Sequence, residues 1–448
     1  MAEVDSSLLS SDFSRYLDLI DNASPVEVKG RVVEVTGLVV KAVAPGVSVG
    51  EVCNIKCANR AKPIRAEVVG FKDEVVFLMP LGDTSGIGPG SEVTPTGAPL
   101  TVRCGPRMLG RVLNGLGEPM DHKGDLVGDD FVDYPVMQAP PDPLERQRIL
   151  KHIEVGVRAI DATLTCGEGQ RIGVFAAAGV GKSTLLGMIA RNTEAEVSII
   201  SLIGERGREV RDFLEKDLGA EGLARSVCIC ATSDQPSLVR LKCAYVSTAV
   251  AEYFRDQGKK VILMMDSSTR FARAQREIGL AIGEPPARAG YTPSVFSELP
   301  KLLERTGMSN KGSITAFYTV LVAGDDMNEP VADEVRSILD GHIILSRSLA
   351  AGGHYPAIDV SESVSRVMET IAETRHKKAA RKLREVLATY AKQKDLILIG
   401  AYQKGSDPRV DYAIDMIDRV NGFLQQELYE RMSFEECVNK LCELFDQS

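Results

Sequence analysis

The segment Arg171 to Arg191 reads RIGVFAAAGVGKSTLLGMIAR: an apolar run of strand length, a glycine-bearing loop, then a helical stretch carrying Leu185, Leu186 and Ile189. A phosphate cradle needs this order, because such a loop turns successive backbone N–H groups inward while the helix start adds a partial positive charge. Within Ala178, Gly179, Val180, Gly181, Lys182, Ser183 and Thr184, the two glycines give the backbone that freedom. Lys182 is placed to reach the outer phosphates of ATP, and the Ser183 hydroxyl to ligate Mg2+. The first glycine of the usual pattern is replaced by Ala176, which a negative φ at that position tolerates.

A triphosphate site also needs a carboxylate for the metal. VILMMDSS ends a buried-strand run on Asp266, at the sheet edge where phosphates must lie; alone, the same residue reads as a strand-terminating turn aspartate. The run VSIISLI is followed by GERGREV, which sets Glu205 at the end of a neighbouring strand, where a carboxylate can hold and polarise water. Arg206 beside it is a candidate for the γ-phosphate, although GER by itself carries little weight.

The elements that would position these residues are visible in the chain's texture. From Gly30 to Gly97, short β-branched runs broken by Gly and Pro predict a small β-barrel. After Pro99, apolar runs at 171–175, 197–203, 227–231, 261–265 and 313–322 alternate with helical stretches, the pattern of a parallel sheet covered on both faces. Past Met368 the helical period dominates, with Leu383, Val386, Leu387 and Tyr390 on one face and Ile417, Val420, Leu424 and Leu428 on another. Phe13, Tyr16, Leu17 and Ile20 predict an amphipathic helix over 6–21, either a cap on its own domain or a docking helix. Three parts follow: 1–100, 101–368 and 369–448.

With 448 residues the chain has room for about three domains. Its 44 % hydrophobic and 26 % charged residues exclude disordered and collagenous classes. The N-terminal sequence lacks the basic, apolar pattern of a signal peptide, and no run reaches membrane-span length, so a cytoplasmic location is expected. A net charge of −9 and an aromatic-poor barrel argue against nucleic acid as a partner. The nine cysteines form no paired CxxC set, so neither zinc nor a disulfide framework is expected.

From about residue 100 to 370 the chain resembles the catalytic subunits of rotary ATPases. The resemblance rests on GRVLNGLGEPMD (110–121), the phosphate loop, GERGRE, VILMMDSSTRFARAQREIG and PAIDVSESVS (356–365). EPPARAGYTPSVF (284–296), the long run from Gly312 to Arg347, and YQKGSDPRVDYAI (402–414) resemble the export ATPases of type III secretion systems and flagella. The resemblance implies an α/β fold: a RecA-like P-loop core with a mostly parallel sheet, an N-terminal β-barrel and a C-terminal helical domain. It also implies three further site residues. Arg366 matches an arginine finger that enters the neighbouring subunit's site, Tyr355 an aromatic that stacks on adenine, and Arg270 a core arginine near the γ-phosphate. Unaided, these read as a surface ion-pair former, a core aromatic and a helix-start charge.

Because Lys182, Glu205, Asp266 and Arg366 share one polypeptide, the chain is expected to build complete ATPase sites against copies of itself, as a homohexamer. The resemblance further implies a stator-like regulatory dimer on the N-terminal helix, and a coiled-coil central stalk in the pore, gripped by EPPARAGYTP. It also implies secretion chaperones and exported proteins as clients, at an inner-membrane export gate. The basic run RHKKAARKLR (375–384) reads as a solvated face or a contact for such partners. Non-flagellar type III secretion is the first reading and flagellar export the second. An ATP synthase β subunit and a ring RNA translocase stand further off.

Overall fold

The computed structural model describes residues 16–17, 28–58, 60–322, 324 and 326–446. The helix expected over 6–21 lies outside the described residues but for Tyr16 and Leu17. Two compact units divide between Ala98 and Pro99.

The first unit is a closed six-stranded barrel of β1 (Gly30–Thr36), β2 (Val39–Val43), β3 (Glu51–Lys56), β4 (Ile64–Lys72), β5 (Val75–Pro80) and β6 (Glu92–Pro99), in the order β1-β2-β5-β4-β3-β6. The β-branched alternation expected of such strands turns Val40, Ala42, Cys53, Ile55, Ala66, Val68 and Leu78 inward as one core. Closure removes the exposed sheet edges that so short a set of strands would otherwise present.

The second unit is built on a nine-stranded sheet. Its order runs Val364–Ser365, Gly341–Leu345, Arg171–Ala176, Ser313–Leu321, Lys260–Asp266, Val197–Ile203, Ser226–Ala231, Arg111–Asn114, with Gly307–Met308 alongside Ser313–Leu321. The pairings are parallel except for the two-residue strands Val364–Ser365 and Gly307–Met308, which run antiparallel. Every residue of Val197–Ile203 is buried. Alternate residues serve opposite layers: Ile200 and Leu202 share a core with Leu185 and Ile189 of the helix Lys182–Asn192, while the Ser201 hydroxyl meets Ser247 on the helix Ser237–Asp256. The five strands anticipated from apolar runs are present. Arg111–Asn114 and Gly341–Leu345 escaped that reading, their short runs RVLN and GHIIL being broken by polar residues.

The C-terminal helices Thr374–Leu398, Pro408–Leu424 and Phe434–Asp446 join the same core. Leu383, Val386, Val420 and Leu441 are buried in one cluster with Val174 and Leu185. Each such side chain taken from water contributes about 1.5–3 kcal/mol, so these helices are held firmly to this core, packing on one another and on the helix Arg158–Thr163. Asp407 caps the second of them by accepting the Arg409 N–H at 2.9 Å, with Pro408 in the first turn. Among the described residues, no helix is long and apolar enough to cross a membrane.

Candidate active site

Three strands end at the same sheet edge and deliver the chemistry there. Arg171–Ala176 leads into the glycine loop, Lys260–Asp266 ends on Asp266, and Val197–Ile203 is followed by Gly204 and Glu205. Gly179 and Gly181 both have positive φ, 82° and 89°. A Cβ is strained in that region, so the loop's inward-facing amides depend on glycine at these two positions. Val180 is buried and so offers the loop cavity only its backbone, while Ala178, Ser183 and Thr184 are exposed at the loop and the helix start.

Lys182 lies between two acids: its Nζ bonds Asp266 Oδ1 and stands 3.9 Å from Glu205 Oε1. Asp266, its side chain 3 % exposed, also accepts the Thr319 hydroxyl at 2.8 Å. Thr319 belongs to the strand between the loop strand and the Asp266 strand, and so occupies the gap their separation leaves. Glu205 is anchored from the other side, where Arg270 Nη2 donates to its Oε2 at 3.1 Å and Arg270 Nη1 donates to the Gly204 carbonyl. Burial pushes the Glu205 carboxyl up to about 7, and the Asp266 charge adds to that, against the pull of Lys182 and Arg270. Its neighbour Glu209 is held below the usual carboxylate range, first by a hydrogen bond with Glu205 and then by the Arg206 charge.

The donor set fits a hard divalent cation that keeps most of its ligands from phosphates and water. It offers one buried carboxylate, Asp266, and one hydroxyl, Ser183, and no group of three or more metal-ligating side chains exists among the described residues.

Tyr355 stands across the glycine loop. Its ring carbons lie 3.7 and 3.8 Å from where a Gly181 Cβ would be. They line a cavity of about 700 Å³ together with Thr184, Met188, Gln425 and Leu428. That volume and this mixed apolar and polar lining suit a nucleoside. The 425–430 segment lies about 240 residues from the loop along the chain, and no local signal in the sequence marks it as part of the site.

Two expected residues stand apart from this cluster. Arg206 is turned outward at 79 % side-chain exposure and pairs with Glu209 at 3.3 Å. Arg366 sits at the opposite edge of the sheet. Val364–Ser365 pairs with the start of Gly341–Leu345, and the Arg366 N–H donates to Asp340 O at 3.0 Å, whereas the phosphate loop follows the far end of the strand alongside. The Arg366 guanidinium is exposed and has no hydrogen-bond or ion-pair partner among the described residues.

Comparison with known proteins matches three stretches of the chain. The ATP synthase alpha/beta family, nucleotide-binding domain, matches residues 156–365. The ATP synthase alpha/beta family, beta-barrel domain, matches 32–97, and the T3SS EscN ATPase C-terminal domain matches 372–443. The chain is 52 % identical over 429 residues to a flagellum-specific ATP synthase of Bacillus subtilis, covering 96 % of this chain and 98 % of that one. It is 54 % identical over 419 residues to a type 3 secretion system ATPase of Xanthomonas euvesicatoria, covering 94 % of each. Among solved structures, the assembled ATPase EscN of the enteropathogenic E. coli type III secretion system superposes with a TM-score of 0.87 at 46 % identity, covering 93 % of this chain and 99 % of that one. The same ATPase in complex with its central stalk EscO gives 0.86 at 45 % identity, with the same coverage.

Proposed function

The chain belongs to the ATP synthase alpha/beta family, in its branch of type III secretion and flagellar export ATPases, and from that premise we propose that it hydrolyses Mg-ATP in a homohexameric ring that energises a non-flagellar type III secretion system. In this scheme the loop amides and Lys182 hold the β- and γ-phosphates, Ser183 and Asp266 hold Mg2+, and Tyr355 stacks on adenine. The bound ion would supply charge neutralisation at the phosphates. Glu205 orients and polarises the attacking water, and Arg270 keeps Glu205 in place.

The observation that carries the ring is the position of Arg366. It is an unpartnered arginine at the sheet edge away from its own Lys182, Glu205 and Asp266, so it serves a phosphate site only if that site belongs to another copy. The relative solved with a central stalk supports a stalk here too, in a pore faced by the exposed loop 284–290. We assign residues 1–100 to ring contacts and the regulatory dimer, 101–368 to catalysis, and 369–448 to a helical part that meets clients. The work done is release of chaperones from exported proteins and unfolding of those proteins, by a cytoplasmic assembly held peripherally at the inner-membrane export gate.

Specific activity measured against protein concentration tests the ring. It should rise steeply as subunits assemble, and a constant value from monomer to ring would refute the shared site. Flagellar export is the second reading, favoured by the 52 % identity to a flagellum-specific relative. Purification from the native cell separates the two, since needle-complex components and their chaperones accompany the first and flagellar chaperones the second.

A further inference from the structure

The wall of the nucleoside cavity opposite the phosphate loop is fixed by one buried side chain. Gln426, 6 % exposed, makes four hydrogen bonds, which join its own segment to Tyr355 and to the stretch holding Gly156 and Arg158. Its backbone N–H donates to Tyr355 O at 3.0 Å. Its Oε1 accepts the Arg158 N–H at 2.7 Å, and its Nε2 donates to Gly156 O at 3.0 Å and Glu430 O at 2.9 Å. Only one orientation of the amide satisfies this set, because two carbonyls require the NH2 group and one N–H requires the oxygen. Arg158 completes the join, donating to Phe423 O and Gln425 O at the end of the helix Pro408–Leu424 and pairing with Glu430.

Gln426 lines the cavity with Tyr355, Gln425 and Leu428, and all three of these hang on it or on its chain neighbours. We propose that Gln426 is a positioning residue: its backbone N–H holds Tyr355 while its carboxamide ties the 425–430 segment to Gly156 and Arg158, so that the base-binding half of the cavity exists only while the C-terminal helices are docked. The proposal rests on the reading of this cavity as the nucleotide site. It implies that the base and triphosphate halves of ATP are held by separable parts of the fold, the triphosphate half by the glycine loop with Lys182, Ser183 and Asp266.

Gln426→Ala and the isosteric Gln426→Glu are compared with wild type and with Tyr355→Ala, as assembled protein. KM and kcat are measured for ATP, and inhibition is measured with inorganic tripolyphosphate, which carries no base. Gln426→Glu keeps the shape but turns an oxygen toward two carbonyls, so a packing role alone would spare it. Both Gln426 variants should raise the KM for ATP by roughly ten-fold or more, with kcat and tripolyphosphate inhibition near wild type. Equal weakening of ATP and tripolyphosphate would overturn the proposal, as would an unchanged KM in Gln426→Glu. If Tyr355→Ala raises the KM for ATP while the Gln426 variants do not, the cavity remains the base site and only the positioning role falls. If Tyr355→Ala is also silent, the cavity itself is misassigned. Melting temperature without nucleotide, read on the same samples, shows that the variants are folded.

Discussion

Arg270 holds Glu205 by one carboxylate oxygen, at 3.1 Å, and leaves the other facing Lys182 at 3.9 Å. The acid is thereby fixed in orientation without being neutralised by a close, bidentate partner. A carboxylate held this way keeps a lone pair available to water, which is what polarising a nucleophile demands.

Glu205→Gln keeps the side chain's shape and its hydrogen bond from Arg270 but removes the charge. Turnover should fall by about 10²- to 10⁴-fold while Mg-ATP affinity, measured by equilibrium binding, stays near wild type. Equal loss of both would place Glu205 in the nucleotide cradle instead.

The raised Glu205 carboxyl, near 7 in the free protein, sets a pH dependence. Below that value the group is protonated and unable to polarise water; above it the carboxylate predominates. kcat/KM should therefore climb with pH through about 7 and level off above it, falling close to ten-fold per unit on the acid side. In Glu205→Gln this limb should vanish from the residual activity.

Arg270→Lys retains a cation but cannot span Gly204 O and Glu205 together, since it has one donor centre where the guanidinium has two in use. We expect a loss in kcat of roughly ten-fold, with the acid limb of the pH profile shifted upward because the Glu205 carboxylate loses the hydrogen bond that favours its charged form. An unaltered pH profile would mean that the pair is incidental.

Arg366→Ala should depress the activity of assembled rings by about 10³-fold or more and leave the nucleotide affinity of isolated subunits unchanged. Titration of assembly by light scattering, alongside turnover, separates a catalytic loss from a failure to assemble.

Stability has its own test in the pair Arg305–Glu252, whose side chains are 1 % and 2 % exposed. Arg305→Ala strands the Glu252 carboxylate in the interior and should cost about 3–5 kcal/mol in denaturant unfolding. Replacing both partners together, with Met and Leu, should recover most of that.

How much of this was legible in the chain depended on locality. The phosphate loop could be read directly because strand, glycines and helix are contiguous, and each residue's role follows from its neighbours. Glu205 and Asp266 were legible because each follows an apolar run that could only be a buried strand. Thr319 was not, being one hydroxyl inside such a run; its use depends on which strand lies between the other two. Arg206 illustrates the converse. It sits at the cap of the helix Gly207–Asp212, three residues before Glu209, and that local pairing draws the guanidinium outward. Gln426 was out of reach because its partners lie up to 270 residues away.

On the proposed assignment, the placement of Arg366 at one sheet edge and the phosphate loop at the other would give each subunit a donating flank and a receiving flank, and such head-to-tail contacts make a ring when the rotation between copies closes. An active centre would then be a property of a junction and not of a chain. Lys182→Ala and Arg366→Ala subunits, each inert alone, would complement when mixed: a junction revives wherever an intact loop receives an intact arginine, about a quarter of junctions in a random equal mixture. Genetic dominance would follow the same rule, with one Lys182→Ala copy silencing its own centre or one Arg366→Ala copy silencing its neighbour's, and the rest of the circle spared.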